Sequence, residues 1–281
     1  MRSINVSKIK SIVKTLCLDA CTKLNDDMKE ALKKAVDMEE SLAGRAVLQQ
    51  LLENARIAQA ESVPLCQDTG FTVIYIEIGQ DVSFTGGSLY DAITQAVAEA
   101  YTDGYLRKSI VKNPLTDPAN TGDNTPPIIH TDIVPGDKVK ITVLPKGGGS
   151  ENVSRIKMLK PADGIDGVKN FVIETVSLAG ANPCPPIIVG VGIGGTFDYV
   201  AYLAKKALLR KIGQRSADKK IAEYEIQWLE EINKLGIGPA GLGGKVTALD
   251  LFIEVFPRHI ASFPAAVNIQ CNAARSQSYV L

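Results

Sequence analysis

The chain has 281 residues, 45% of them hydrophobic, enough for a sizeable core in one large domain or two small ones. Its 31 basic and 31 acidic residues cancel, with no basic tail, stripe or charge block, which argues against a nucleic-acid or membrane-surface role. Apolar runs such as 187–193 have strand length and fall far short of a membrane span, nothing near Met1 resembles a signal peptide, and five scattered cysteines do not read as a disulfide framework; a cytoplasmic protein is expected.

The first sixty residues read as helical. Ile9, Ile12, Val13, Leu16 and Ala20 recur at helical spacing, with Ser7 as the expected N-cap. A second helix is expected over 26–38, and a third carries Leu42, Val47, Leu51, Leu52 and Ile57. The pattern then changes. Residues 71–78 form a β-rich strand directly after Cys66-Gln67-Asp68-Thr69-Gly70. A helix is expected over 88–101. The stretch 113–127, dense in Pro, Asn, Asp and Thr, reads as a long loop, functional or disordered. Strands at 128–134 and 139–144 flank the turn Pro135-Gly136-Asp137. Further on, helices are expected near 164–178, 197–210 and 217–235, and strands near 186–191 and 246–255. There is no internal repeat or clear linker. The expected fold is α/β (mixed α+β): one domain over 1–281, with a helical layer over 1–62 followed by mixed sheets with packed helices.

Three cysteines stand out. Cys66, Cys184 and Cys271 each sit among Pro, Gly or Asn, residues that end helices and strands, and lie 118 and 87 residues apart. Thiolate is the usual ligand of iron–sulfur clusters. Dispersed single cysteines fit a cluster with one differentiated iron, and fit three unrelated buried thiols as well. A zinc site is also open, although structural zinc usually draws closely paired ligands. Cys17 and Cys21, at i and i+4 on the first helix, read as small core residues. Gln67 offers an amide and Asp68 a proton-exchanging carboxylate, or both belong to an ordinary turn before a strand.

The remaining polar features are less distinctive. Gly190-Val191-Gly192-Ile193-Gly194-Gly195 formally meets G-x-G-x-x-G, but the acidic residue expected about twenty positions on is absent. Close packing, or an anion site at a helix N-terminus, accounts for these glycines as well as a dinucleotide does. The loop 146–150 offers backbone N–H groups to a carboxylate or is a mobile turn. His130 and His259 are the only histidines; each is a candidate acid–base group or a structural residue. Arg107 suits a bidentate carboxylate clamp or a plain surface position.

Taken together, Pro64 to Gly70, Lys146-Gly147-Gly148-Gly149-Ser150-Glu151-Asn152, Ala181-Asn182-Pro183-Cys184-Pro185-Pro186, Val189 to Gly195 and Asn268-Ile269-Gln270-Cys271 resemble, in order and over nearly the whole chain, the class I, iron–sulfur-dependent fumarase and tartrate dehydratase family. The resemblance implies a [4Fe–4S] cluster held by Cys66, Cys184 and Cys271. Its open iron would act as a Lewis acid on a C4 dicarboxylate. It further implies that Gln67, Arg107 and Gly149 hold substrate carboxylates and that Asp68 and His259 transfer protons. Single-chain members continue into a second domain, whereas this chain stops ten residues after Cys271. The expectation is therefore an α subunit that needs a β subunit, as an α2β2 hetero-oligomer, for reversible hydration of fumarate to malate. L-tartrate dehydration is the runner-up, ahead of a dinucleotide-binding oxidoreductase or a non-catalytic scaffold subunit.

Overall fold

Asn5, rather than Ser7, caps the first helix. The computed structural model describes all residues 1–281. It begins with a short strand, β1 (Arg2–Asn5), so the helix α1 (Val6–Thr22) starts where that strand ends. The Asn5 side chain accepts a hydrogen bond from the Ser7 N–H at 2.9 Å. The sequence reading missed β1 and therefore placed the cap two residues late. The helices α2 (Asp26–Met38) and α3 (Leu42–Glu61) follow as expected.

Two compact units make up the chain. The first comprises Met1–Leu24, Ala55–Gly148 and Arg275–Leu281; the second comprises Asn25–Asn54 and Gly149–Ala274. Both are discontinuous, and the helical layer read over 1–62 is shared between them.

Unit 1 is built on β2 (Phe71–Gly79), whose residues from Thr72 to Ile76 are buried. It pairs in parallel with β6 (Ile128–Val134) and antiparallel with β7 (Val139–Lys146). Beyond β7 lies β12 (Gln277–Val280). A parallel pair needs a crossover connection. Here that connection carries β3 (Val82–Thr85), which pairs with β1, the helix α4 (Leu89–Asp103), and a hairpin of β4 (Val111–Asn113) and β5 (Asp117–Asn120). Apart from Val111 and Lys112, that hairpin lies in the stretch 113–127 read from sequence as a loop. Every one of its strand residues is exposed, so no apolar alternation marks it. Ile9, Val13, Cys17, Ala20 and Cys21 of α1 pack with Ile93, Val97 and Tyr101 of α4 and with Ile74, Ile76, Ile141 and Val143 of the sheet.

Unit 2 is built on β9 (Ile187–Gly195), paired in parallel with β10 (Ala248–Arg258) and antiparallel with β11 (Phe263–Gln270). The edge strand β8 (Arg155–Leu159) pairs with β11. Helices α6 (Gly164–Ala179) and α8 (Lys219–Asn233) bring Phe171, Val172, Trp228 and Ile232 to a core with Val189, Val191 and Leu251. The short α5 (Gly148–Asn152) follows β7, and α7 (Phe197–Ala207) packs on β9 and β11.

The glycine run belongs to that packing. All of Gly190 to Gly195 lies within β9 and not in a turn. A Cβ on Gly190 would stand 2.2 Å from the Ala204 carbonyl oxygen, and one on Gly192 would stand 2.3 Å from that of Val200. Both oxygens belong to α7, so these glycines admit a helix backbone against the strand. The dinucleotide reading falls, because its first two glycines sit inside the strand. Gly190→Ala is expected to destabilise unit 2 by about 3 kcal/mol, measured as a lower denaturant midpoint, since neither backbone can yield.

A buried carboxylate ties α2 to the turn before β10. Glu39 is fully buried and accepts N–H groups of Ser41 at 2.9 Å, Lys245 at 3.1 Å and Val246 at 2.9 Å. Burial alone would raise its pKa; the backbone donors outweigh that and hold it below the usual glutamate value. A lowered folded-state pKa means stability that is present above the unfolded value and lost as pH falls through the folded one. Glu39→Gln is expected to cost about 2 kcal/mol at neutral pH and to flatten the acid limb of the stability curve. An acid limb identical in both proteins would refute the assignment.

Candidate active site

Asp68 is fixed at every polar group. Its N–H donates to Cys66 Sγ at 3.4 Å. Its Oδ1 accepts from the Gly70 N–H at 3.0 Å and its Oδ2 from the Gly148 N–H at 2.8 Å. Its carbonyl accepts from the Arg275 guanidinium at 2.8 Å. The glycine loop after β7 does cradle a carboxylate, and it is the chain's own. A Cβ on Gly147 would stand 3.2 Å from Asp68 Oδ2, so small residues keep this approach open.

The next two carbonyls are held as well. The Tyr101 hydroxyl donates to the Thr69 carbonyl at 2.8 Å, and Asn124 Nδ2 donates to that of Gly70 at 3.1 Å. The Thr69 hydroxyl donates to the Arg107 carbonyl at 2.8 Å, which sets Arg107 beside the loop with its side chain exposed. Gln67 is also exposed, its Oε1 3.4 Å from Cys66 Sγ. Unit 1 thus gathers Cys66, Gln67, Asp68 and Arg107. His130 lies within β6, its ring stacked on Tyr75 at 5.0 Å between centroids. The thiols of Cys17 and Cys21 are buried; burial pushes both up, so they stay protonated in the core.

Unit 2 gathers Cys184, Cys271 and Gly149. Cys184 is exposed, with φ +54° in the turn before β9. Cys271 directly follows β11, which runs antiparallel to β9, so both cysteines stand at the same end of the sheet. Asn272 joins them: its N–H and Nδ2 both donate to the Cys184 carbonyl, at 3.2 and 2.8 Å. Gly149 adjoins the same loop, since a Cβ there would lie 3.4 Å from the Asn182 carbonyl oxygen.

His259 is elsewhere. Arg258 pairs with Gly195 and Gln270 with Ile188, so His259 stands at the opposite end of β9, about 20 Å from the cysteine pair at ~3.3 Å per residue. Its turn is closed locally, with Nδ1 accepting the Ala261 N–H at 3.2 Å.

The donors suit a thiolate-bound group: Cys66, Cys184 and Cys271 stand outside any disulfide and reach solvent, while Cys17 and Cys21 are buried. Next to Cys271, Gln270 Oε1 is buried without a hydrogen-bond partner, an acceptor available to a hydroxyl. Within the chain no group of three or more His, Cys, Asp or Glu side chains forms a metal site. A groove of about 860 Å³ between α2, α8 and the start of β10, walled by Ala31, Ala35, Met38, Leu229 and Val246, includes none of these residues.

Sequence reading missed Tyr101, Asn124, Asn272 and Arg275, which hold the loops from elsewhere in the chain. The one cue lay in the 268–275 segment, where an asparagine and an arginine closely follow Cys271.

The family model described as fumarate hydratase (Fumerase) matches residues 10–280. The chain is 47% identical over 273 residues to a Methanocaldococcus jannaschii protein named, provisionally, L(+)-tartrate dehydratase subunit alpha, covering 95% of each. It is 37% identical to the L(+)-tartrate dehydratase subunit alpha of Escherichia coli UTI89 and 36% identical to that of strain K12, in each case over 96% of this chain and 89% of the relative. No helix is long and apolar enough to cross a membrane. A match along nearly the full length, through every cysteine loop described above, shows that the chain belongs to the fumarate hydratase family of hydro-lyases.

Proposed function

We propose that the chain is the cytoplasmic α subunit of a two-subunit, [4Fe–4S]-dependent hydro-lyase that hydrates fumarate reversibly to malate. The observation that carries this reading is the family match across 10–280, which includes all three accessible cysteines. Cys184 and Cys271 would supply two ligands from loops already joined through Asn272, and Cys66 the third. When bound, the cluster supplies a Lewis-acidic iron that polarises the hydroxyl or water oxygen of a C4 dicarboxylate.

The chain's own residues do the rest. Arg107 clamps one substrate carboxylate bidentately, and the Gln67 amide and the Gly149 backbone N–H share the hydrogen bonding. Asp68, oriented by two backbone N–H donors, retains about two of its four acceptor sites for a proton of the attacking water. In hydration the hydroxyl adds to one olefinic carbon and a proton to the other, with no net redox. The group serving the second carbon is assigned to the β subunit. His259 reaches a cysteine site only from a second copy of this chain, which an α2β2 assembly would provide.

A second reading, dehydration of L(+)-tartrate, is favoured by the names of the relatives. Turnover of fumarate, L-malate and L(+)-tartrate by the anaerobically reconstituted α–β pair decides between them. Inertness toward all three would sink both readings. The purified chain alone is expected to show under about 1% of the pair's rate, because groups acting as one unit are lost together. Activity is also expected to fall on aeration and return with iron, sulfide and thiol; an air-stable rate would refute the cluster.

A further inference from the structure

We propose that Arg275 is a positioning residue for the 66–70 loop, acting through the Asp68 backbone; the proposal rests on the reading of that loop as part of the hydro-lyase site. Arg275 is 4% exposed, and its guanidinium donates to the Asp68 carbonyl at 2.8 Å. The same residue's N–H faces Cys66 Sγ, and its carboxylate spans the N–H groups of Gly70 and Gly148. A shift of the Asp68 backbone would therefore misdirect a thiol and a carboxylate together. Tyr101 and Asn124 hold the following two carbonyls, and both are neutral. Arg275 is the charged anchor, and it serves the residue whose side chain is assigned the proton. A hydrogen bond from a charged donor is stronger and more directional than a neutral one. The guanidinium charge also opposes the burial that pushes the Cys21 thiol up, which places this buried cation beside Cys21 under the loop.

The plainer role is a rivet that packs the 275–281 segment into unit 1. Two substitutions separate the roles. Arg275→Met keeps length and bulk without a donor; Arg275→Lys keeps a charged donor. Amide hydrogen exchange at Gly70 and Gly148 in the full chain, and the rate of Cys66 alkylation relative to Cys184 in the metal-free chain, read the loop without reference to turnover. The Met variant is expected to speed exchange at both glycines about tenfold and to change the Cys66:Cys184 alkylation ratio, while unfolding within a few degrees of the parent. In the α–β pair its kcat is expected to fall about a hundredfold, with KM less affected, since misplacing a reacting group by an ångström costs that much. The Lys variant is expected to restore most of both protections.

Unchanged exchange at Gly70 and Gly148 in the Met variant, or a Lys variant no better than Met, would overturn the proposal. Should the Met variant not fold, the Lys variant still decides: exchange within about threefold of the parent supports positioning, and complete loss of protection overturns it. If the exchange results hold while the parental pair turns over no dicarboxylate, the positioning role stands and the hydro-lyase reading fails.

Discussion

Serine at Cys66, Cys184 or Cys271 is expected to bleach the brown colour of the anaerobically purified α–β pair and to abolish turnover. Serine at Cys17 or Cys21 is expected to leave the colour intact. The five residues share a side chain and differ in setting. Cys184 is exposed, Cys66 and Cys271 are half-buried, and Cys17 and Cys21 are sealed between α1 and its neighbours. Thiolate, not thiol, binds metal, and burial disfavours the anion for the last two. A hydroxyl at Cys17 costs stability instead, about 1–3 kcal/mol for an unpaired polar atom in the core. Visible absorption, iron content and rate should fall together for the first three substitutions. Colour surviving in any one of them would remove that cysteine from the ligand set.

His259→Ala is expected to lower kcat about 10²- to 10⁴-fold, the usual worth of a general acid or base. Its defect should be mended by a chain that is itself dead. His259 stands at the end of β9 opposite Cys184 and Cys271, so a histidine serving those cysteines belongs to another copy. Mixing His259→Ala chains with Cys184→Ser chains before assembly gives some pairs in which intact cysteines meet an intact histidine. With random twofold pairing, half of the assemblies are mixed and one of their two sites is whole, so about a quarter of the parental rate should return. No recovery beyond the sum of the separate variants would remove His259 from the mechanism.

Strands with a strong local signature were legible in the sequence. Residues 71–78 and 128–134 alternate or run apolar between clear turn residues, and β2 and β6 lie there. The strand β11 was not legible: Phe263-Pro264-Ala265-Ala266-Val267 has poor strand propensity, and its pairing on both sides with β9 and β8 makes it one. The glycines of β9 left close packing, an anion site and a dinucleotide open, and the α7 backbone against Gly190 and Gly192 shows packing. At the site, the pieces Cys66-Gln67-Asp68, Cys184 and Cys271 carried their own signal. Their anchors did not, because Tyr101, Asn124 and Arg275 lie 33, 56 and 207 residues from Asp68 and only the fold brings them to it. The placement of His259 depended on strand order, with β9 interposed between β10 and β11, and no local pattern encodes that.

The last seven residues close unit 1: Arg275 reaches the Asp68 carbonyl, β12 lines β7, and Arg2 donates to the Leu281 carbonyl at 3.0 Å. In chain order they follow every segment of unit 2. While the chain is being made, unit 2 can gather every segment it needs before the bed of Cys66 receives its cationic anchor. A nascent chain therefore presents the loops of its second and third cysteines before the seat of the first one is finished.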